Sequence, residues 1–146
     1  MGPLAYTGFI SYSQKDAVAA ARLHRWLEHF KISRDVADQL ERPASLGRFF
    51  RDDDEMSASS DITQQINDAL HRSDSLIVVC SPNSAQSKWV EAEIQQFRKT
   101  GRGDRVFAYI IDGVPNSGDP DTECFPPSLR LGGEPDGAQL PIEPFG

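Results

Sequence analysis

Residues 75–94, SLIVVCSPNSAQSKWVEAEI, decide the fold of this chain. The continuous apolar run Leu76–Cys80 is bounded by serine on one side and by Ser81-Pro82 on the other. Such a run is typical of a strand whose two faces are both covered, as in a parallel sheet. Apolar residues then recur at helical spacing, which predicts an amphipathic helix from about Ser87 to Lys99. A buried strand followed by an amphipathic helix is the repeating unit of an α/β fold.

The same alternation of strand and helix extends on both sides of this segment. Further strands are predicted at Tyr6–Tyr12, Leu46–Phe50 and Val106–Ile111. One further helix is predicted to carry Ala20, Leu23, Leu27 and Phe30, and another to start at Asp61, with Gln64 in a capping-box position. Residues 31–45 lose the helical period and are predicted to be a connection. Since strands joined by helices form crossovers, the predicted fold class is α/β with a doubly wound, mostly parallel sheet.

The last part of the chain, residues 113–146, has a different composition. It holds seven of the ten prolines and six of the eleven glycines, residue types that favour turns and loops. We expect mostly loop there, with one short edge strand near Leu140–Phe145. A chain of 146 residues is long enough for one hydrophobic core, so residues 1–146 are predicted to form a single domain.

Charge, hydropathy and cysteine content exclude several function classes. The net charge is −7 and the basic residues form no continuous stripe, so we expect no direct nucleic-acid partner. No apolar run approaches about 18 residues, and no basic-then-apolar signal pattern begins the chain, so we expect no membrane association and a cytoplasmic protein. Two cysteines are too few for a thiolate metal site or a disulfide framework, and Cys80 is predicted to be a reduced, buried thiol.

Polar residues follow the predicted strands at their carboxyl ends, where an open parallel sheet forms its ligand crevice. They are Ser11-Tyr12-Ser13, Arg51-Asp52-Asp53-Asp54, Ser81-Pro82-Asn83 and Asp112-Gly113. A phosphoacceptor receiver domain needs an acidic pair after its first strand and an aspartate after its third, where this chain has serines and a proline. A dinucleotide-binding Rossmann domain needs a glycine-rich turn after its first strand, and no glycine lies between Phe9 and Phe30. The sequence therefore excludes both classes.

The acidic run Asp52–Glu55 is a candidate for a metal site. No other acidic cluster converges with it in a predictable way, and contiguous carboxylates are more often a solvated loop than a Mg²⁺ site. We therefore expect no metal and no resident cofactor.

Trp89 and Glu93 lie four residues apart on the predicted helix and share one face of it. Glu93 lies beside the apolar side of the helix, so its carboxylate is a candidate for partial desolvation next to an indole ring. A desolvated carboxylate is a candidate for a raised pKa or a reacting role. The alternative is a half-buried tryptophan beside a solvated glutamate, and the spacing leaves both open. Glu91 points elsewhere on the helix.

Three segments of the chain together resemble a TIR (Toll/interleukin-1 receptor) domain. Phe9-Ile10-Ser11-Tyr12-Ser13 resembles the first box of that family, and Phe50-Arg51-Asp52 with the acidic loop after it resembles the second. Ser81-Pro82-Asn83 through Glu93 resembles the family's S-P…S-x-W-x-x-x-E segment. The segments stand in the family's order, each at a predicted strand end. The chain most resembles bacterial TIR domains fused to repeat or sensor modules.

This resemblance implies a flavodoxin-like sheet of four to five strands and, as in many bacterial members, cleavage or cyclisation of NAD⁺ in anti-phage defence. The family's catalytic glutamate stands four residues after the tryptophan, which corresponds to Glu93. The expected substrate contacts are Trp89, Phe9, Ser11, Arg51 and Asp52. Ser11 is equally typical of a main-chain hydrogen bond at a strand end, and Arg51 of a salt bridge with its acidic neighbours.

Three features usual in the family are missing from the sequence. Ser13-Gln14 stand where some active relatives have basic residues, so a phosphate contact there would come from Lys15, Arg51 or main-chain N–H groups. Met56–Ser59 stand where the loop after the second box often has a Pro-Gly pair. No closing C-terminal helix is predicted, so we expect the sequence to continue into a longer protein.

Many TIR domains act by associating with one another through the loop after the second box. The resemblance therefore also implies a non-catalytic interaction module as an alternative, with Asp53, Asp54 and Glu55 meeting the surplus basic charge of residues 1–50 head to tail. The expected partners are NAD⁺, other TIR domains and a fused or associated sensor or repeat module. A host-directed virulence factor that mimics eukaryotic adaptors is a further alternative.

Overall fold

A parallel sheet of five strands forms the centre of the computed structural model, which describes residues 4–51, 60–130 and 144–145. The strands are β1 (Tyr6–Ser11), β2 (Phe49–Arg51), β3 (Ser73–Cys80), β4 (Val106–Ile110) and β5 (Pro144–Phe145). They lie in the order β2-β1-β3-β4-β5, and each neighbouring pair is parallel. This is the strand order of a doubly wound, flavodoxin-like sheet, which confirms the predicted fold class.

Helices cover both faces of the sheet, because successive residues of a strand point to opposite sides. The helices are α1 (Ala17–His29), α2 (Arg34–Gln39), α3 (Ser60–His71), α4 (Pro82–Ala85) and α5 (Lys88–Phe97). Phe9 and Val78 pack in the core cluster that contains residues of α3 and α5, whereas Ile10 and Val79 pack in the cluster that contains residues of α1. Consecutive apolar residues are therefore needed in the central strands.

The predicted connection at residues 31–45 contains the short helix α2. The helix begins after Ser33, whose hydroxyl oxygen accepts a hydrogen bond from the N–H of Val36 at 3.3 Å. It has six residues and buries only Ala37. One buried position is too few to produce a helical spacing of apolar residues in the sequence. β2 is also shorter than predicted, because it begins at Phe49 rather than at Leu46.

α5 begins where the sequence predicted a helix start. Ser87 is its N-cap, and the Ser87 hydroxyl oxygen accepts a hydrogen bond from the N–H of Val90 at 3.1 Å. The α-helical part ends at Phe97, and Gly101, just beyond it, has a φ of 88°, which favours glycine. α4 precedes α5 and begins with a capping box between Ser81 and Ser84.

The proline-rich segment after β4 contributes more to the core than its composition indicates. Cys124, Phe125 and Leu129 are buried in the same cluster as Phe9. β5 lies inside the predicted edge-strand region and pairs with β4. No helix in the described part of the chain is long and apolar enough to cross a bilayer.

Both cysteines are free thiols, buried as predicted for Cys80. Burial raises the pKa of the Cys80 thiol far above its ordinary value. Burial and the nearby Glu123 carboxylate raise the pKa of Cys124 to about 11. Because the thiolate is the reactive form of cysteine, both side chains are expected to be chemically inert.

Candidate active site

A cleft of about 690 Å³ opens at the carboxyl ends of β1 and β3. β2, the next strand in the chain, lies on one side of β1, and β3 lies on the other side. The chain leaves β1 toward β2 and leaves β3 toward β4, so the connections after these two neighbouring strands run in opposite directions. Open parallel sheets bind their ligands in the space between two such connections. The cleft is lined by Ser13, Gln14, Lys15, Pro82, Asn83, Gln86, Ser87, Lys88, Trp89, Pro120 and Asp121.

The charged residues along this cleft are Lys15, Lys88 and Asp121. All three side chains are exposed. Two lysines against one aspartate give the cleft an excess of positive charge within a chain whose net charge is −7. Such a site suits a ligand that carries phosphate groups.

α5 places Trp89 and Glu93 one helical turn apart, as the sequence predicted. Trp89 is half-buried, lines the cleft and packs against the core. Glu93 is only 6% exposed, so the alternative of a solvated glutamate is wrong. The hydroxyl of Ser11, at the end of β1, donates a hydrogen bond to Glu93 Oε1 at 2.6 Å. Ser11 therefore binds a carboxylate from another element rather than the backbone at its own strand end. The predicted substrate contact by Ser11 is corrected, because its side chain is fully buried and does not line the cleft.

The Ser11–Glu93 contact is buried on all sides. Ser11 is 0% exposed, and the second oxygen of Glu93, Oε2, is also removed from solvent. Burial of a carboxylate is tolerated when polar groups compensate for lost hydration. Glu93 lies one turn beyond Trp89 and is not among the residues that line the cleft.

A second buried carboxylate, Asp16, joins the loops on the two sides of the cleft. Its Oδ2 accepts a hydrogen bond from the Ser81 hydroxyl at 2.5 Å, and its Oδ1 accepts one from the amide nitrogen of Asn83 at 3.0 Å. No pattern in the sequence singles out Asp16 as a site residue. An acidic residue directly before a helix is ordinarily explained as a cap, and only the fold brings it to Ser81.

The remaining predicted site residues lie outside this cleft or outside the described residues. Phe9 is 0% exposed and stacks on Phe50, with 5.2 Å between ring centroids. The predicted substrate contact by Phe9 is therefore corrected: its ring packs in the core, because it points inward from a central strand. Arg51 ends β2, and its Nε donates a hydrogen bond to His24 Nδ1 at 3.1 Å. The predicted residues Asp52, Asp53, Asp54 and Glu55 lie outside the described residues.

Arg51 belongs to a polar chain between β2 and α1. His24 Nε2 lies 3.1 Å from a carboxylate oxygen of Glu28, and the same oxygen accepts a hydrogen bond from the N–H of Phe49 at 2.8 Å. The Phe49 N–H and the neighbouring His24 lower the pKa of Glu28, against a smaller opposing effect of burial. This arrangement anchors β2 to α1 and engages the Arg51 guanidinium away from the cleft.

Comparisons with known proteins find relatives of this chain. Residues 9–116 match the family model described as "Thoeris protein ThsB, TIR-like domain". The chain is 31% identical over 142 residues to the NAD(+) hydrolase ApTIR of Actinoplanes sp. (strain ATCC 31044 / CBS 674.73 / SE50/110). That match covers 90% of this chain and 19% of the relative, so the chain spans about a fifth of the relative's length.

Among solved structures, the chain is similar to the TIR domains of the activated Roq1 resistosome that directly recognises the pathogen effector XopQ. The sequence identity is 20% and the TM-score is 0.45, over 72% of this chain and 57% of that chain. The match to the family model extends from the first box through β4 and includes both Trp89 and Glu93. On the match to this family model, the chain belongs to the TIR-like domain family, as the boxes in its sequence predicted.

Proposed function

We propose that this chain is the catalytic domain of an NAD⁺ hydrolase that breaks the N-glycosidic bond between nicotinamide and ribose. The observation that carries the proposal is the pairing of Trp89, in the cleft, with Glu93, a buried carboxylate one helical turn further along α5. The 31% identity with a relative named an NAD(+) hydrolase supports the same activity. NAD⁺ is the substrate in this proposal, which includes no resident cofactor.

The leaving group determines what such a site has to supply. Nicotinamide is joined to ribose through a cationic pyridinium nitrogen, so both electrons of the breaking bond pass to nitrogen and neutral nicotinamide departs without protonation. One carboxylate then suffices, because it can stabilise the positive charge that develops at the ribosyl carbon or trap that carbon covalently. Addition of water at this carbon, with loss of a proton, gives ADP-ribose. Attack by an adenine nitrogen in place of water gives a cyclic product.

Glu93 supplies this carboxylate in the proposed mechanism. Trp89 offers an aromatic face to the nicotinamide ring, and a cationic ring over indole contributes about 0.5–2 kcal/mol. Lys15 and Lys88 supply positive charge for the diphosphate. Of the two side chains that the sequence offered for a phosphate contact, Lys15 lines the cleft, whereas Arg51 binds His24 outside it.

The carboxylate has to reach the ribosyl carbon from its place against Ser11. Because Glu93 is 6% exposed and does not line the cleft, its contact with Ser11 belongs to a resting arrangement of the site. We expect substrate binding to exchange the Ser11 hydrogen bond for a contact with the substrate only when the domain is assembled with further copies. The isolated chain is therefore expected to turn over slowly at low concentration.

Release of nicotinamide from NAD⁺, followed by chromatography, tests the proposal. Glu93→Gln preserves shape and is expected to lower turnover by roughly 10²–10⁴-fold, the range for a positioned reacting side chain. Glu91→Gln is the matched control on the same helix. Glu91 accepts hydrogen bonds from Gln95 and Ser128, so melting temperatures of both variants separate folding from chemistry. Equal loss of activity in the two variants, or an unaffected Glu93→Gln, refutes the assignment.

Self-association is a second function, favoured by an exposed aromatic patch on α1. This α1 patch consists of Arg22, Arg25, Trp26 and His29. Trp26 is 58% exposed, and its ring centroid lies 4.9 Å from that of Phe30. An exposed tryptophan surrounded by basic groups is typical of a protein interface. We propose a second copy of this acidic chain as its partner.

The partner surface on the second copy is the segment after β4. It carries exposed aspartates and the half-exposed Val114, which complement a basic aromatic patch in charge and hydropathy. The exposed aspartates are Asp112, Asp119 and Asp121. A contact between two different surfaces is heterologous and propagates into a filament unless it closes into a ring.

Assembly and catalysis combine into one role in this proposal. The domain is a cytoplasmic effector of bacterial anti-phage immunity, switched on when a fused or associated sensor module clusters it. This chain matches only 19% of the length of the NAD(+) hydrolase relative, so that relative has room for further modules beside the matched segment.

Light scattering and specific activity across a hundredfold dilution series test assembly control. Trp26→Ala is expected to reduce large particles and specific activity together, whereas Val18→Ala, at a 69% exposed position of the same helix, leaves both unchanged. Specific activity that stays flat in a monomeric sample refutes assembly control and leaves the hydrolase proposal intact.

A further inference from the structure

The buried carboxylate of Asp16 controls the orientation of a side chain in the cleft. Asp16 is 8% exposed and precedes α1, but its side chain makes no capping hydrogen bond. Both of its oxygens instead accept hydrogen bonds from the segment after β3, from the hydroxyl of Ser81 and from the amide nitrogen of Asn83. These contacts cross 65 and 67 residues of sequence and hold the two sides of the cleft together.

The contact with Asp16 determines which end of the Asn83 amide faces a ligand. An amide has a donating nitrogen and an accepting oxygen, and a reversed amide would set its oxygen against a carboxylate oxygen. The two acceptors would repel each other, so the nitrogen stays directed at Asp16. The Asn83 side chain is exposed and lines the cleft. With its amide nitrogen bound to Asp16, the oxygen at the opposite end of the amide is turned away from Asp16, so that end of Asn83 offers an acceptor.

We propose that Asn83 is a substrate-recognition residue of this site and that Asp16 is the residue that positions it. The outward amide oxygen of Asn83 accepts a hydrogen bond from the carboxamide N–H of nicotinamide, a group that donates and does not accept, unlike a ribose hydroxyl. Phosphate groups offer mainly acceptors and do not suit this position, which agrees with lysines elsewhere in the cleft. This inference rests on the proposed function and assigns the polar recognition within it.

A donor–acceptor exchange between the two residues provides the test. In Asp16→Asn, the new amide oxygen can still accept from Ser81, but its nitrogen faces the nitrogen of Asn83. Asn83 is then expected to reverse and to present a donor to the cleft. In the double variant Asp16→Asn with Asn83→Asp, the new asparagine donates to the new aspartate. The pair keeps its net charge, and an acceptor faces the cleft again.

The kinetic constants of the folded protein distinguish recognition from structure. Asp16→Asn is expected to raise KM for NAD⁺ roughly tenfold with little change in kcat, because one hydrogen bond is lost and a donor faces a donor. The double variant is expected to return KM to within about threefold of the natural sequence. A merely structural Asp16 would lower the melting temperature and leave KM of the folded fraction unchanged. That result, or a double variant that regains its melting temperature without regaining KM, overturns the proposal.

Nicotinic acid adenine dinucleotide identifies the donor, because its carboxylate has no N–H. A KM penalty that disappears with this analogue supports the contact with the carboxamide N–H, and a penalty that persists overturns it. If the natural sequence releases no nicotinamide at all, the proposed hydrolase activity fails. Calorimetric titration of NAD⁺ into the same variants then tests Asn83 alone, and an equal Kd in all of them overturns the inference.

Discussion

Glu123→Gln tests whether one wall of the cleft depends on a buried charge. Glu123 is 5% exposed. Its Oε2 accepts hydrogen bonds from the N–H groups of Asn116 at 2.8 Å and Phe125 at 3.0 Å, and its Oε1 accepts one from the N–H of Gly118 at 3.2 Å. These bonds close the segment that contains Pro120 and Asp121, which line the cleft.

The size of the effect follows from these three hydrogen bonds. Glutamine can keep its oxygen at the Oε2 position, but its amide nitrogen then faces the N–H of Gly118. One charge-assisted bond is lost and two become neutral. The free energy of unfolding is therefore expected to fall by about 1.5–3 kcal/mol, which lowers the melting temperature of a domain of this size by roughly 5–10 °C.

The pH dependence of this effect has a definite sign. Burial opposes the ionised form of Glu123, but the backbone N–H groups of Phe125, Gly118 and Asn116, with the positive charge of Arg130, together hold its pKa below the ordinary value of 4.5. A lowered pKa in the folded state contributes stability that is complete above the unfolded value and is lost as the pH falls through the folded value. The difference in stability between the natural sequence and Glu123→Gln is therefore expected to be widest near neutral pH and to narrow below about pH 4.5.

Urea denaturation near neutral pH and near pH 3.5 measures this difference. Asp121→Asn, at an exposed position of the same segment, is the control and is expected to change stability by less than about 0.5 kcal/mol. A difference between Glu123→Gln and the natural sequence that is the same at both pH values refutes the reasoning, as does an unchanged melting temperature.

Three further outcomes are expected. Trp89→Ala should raise KM for NAD⁺ and lower the free energy of unfolding by less than the roughly 3–5 kcal/mol expected for truncation of a core tryptophan. Thermal melts and steady-state kinetics measure the two effects, and a large loss of stability with an unchanged KM contradicts this prediction. Ser11→Ala should lower the free energy of unfolding by about 1.5–3 kcal/mol in urea denaturation, because it removes a donor to the buried Glu93 carboxylate. Ser33→Ala, which removes an exposed helix cap, is the control and should lower it by about 1 kcal/mol or less. The thiol of Cys124, whose pKa burial raises to about 11, should react with an aromatic disulfide reagent only after unfolding, and rapid labelling of the native protein would contradict this.

Local patterns in the sequence were sufficient for most of the sheet. The apolar run Leu76–Cys80 predicted a strand covered on both faces, and core clusters on both sides of β3 confirm it. The i, i+4 spacing placed Trp89 and Glu93 on one helical face, because every α-helix completes a turn in about 3.6 residues. α2 was not predicted, because a helix with one buried residue shows no periodic spacing of apolar residues in the sequence.

The chemistry of the candidate site depended on contacts between distant parts of the chain. Ser11 and Glu93 are 82 residues apart, and Asp16 and Asn83 are 67 apart. A hydroxyl, a carboxylate or an amide has no periodic signature of its own, so its partner is determined only when parallel strands bring their carboxyl ends together. For the same reason the sequence could not distinguish a solvated Glu93 from a buried one, nor a ligand-binding Phe9 from a core one. Burial is a property of the packed layers, and the fold alone decides which side of a strand or helix is closed to water.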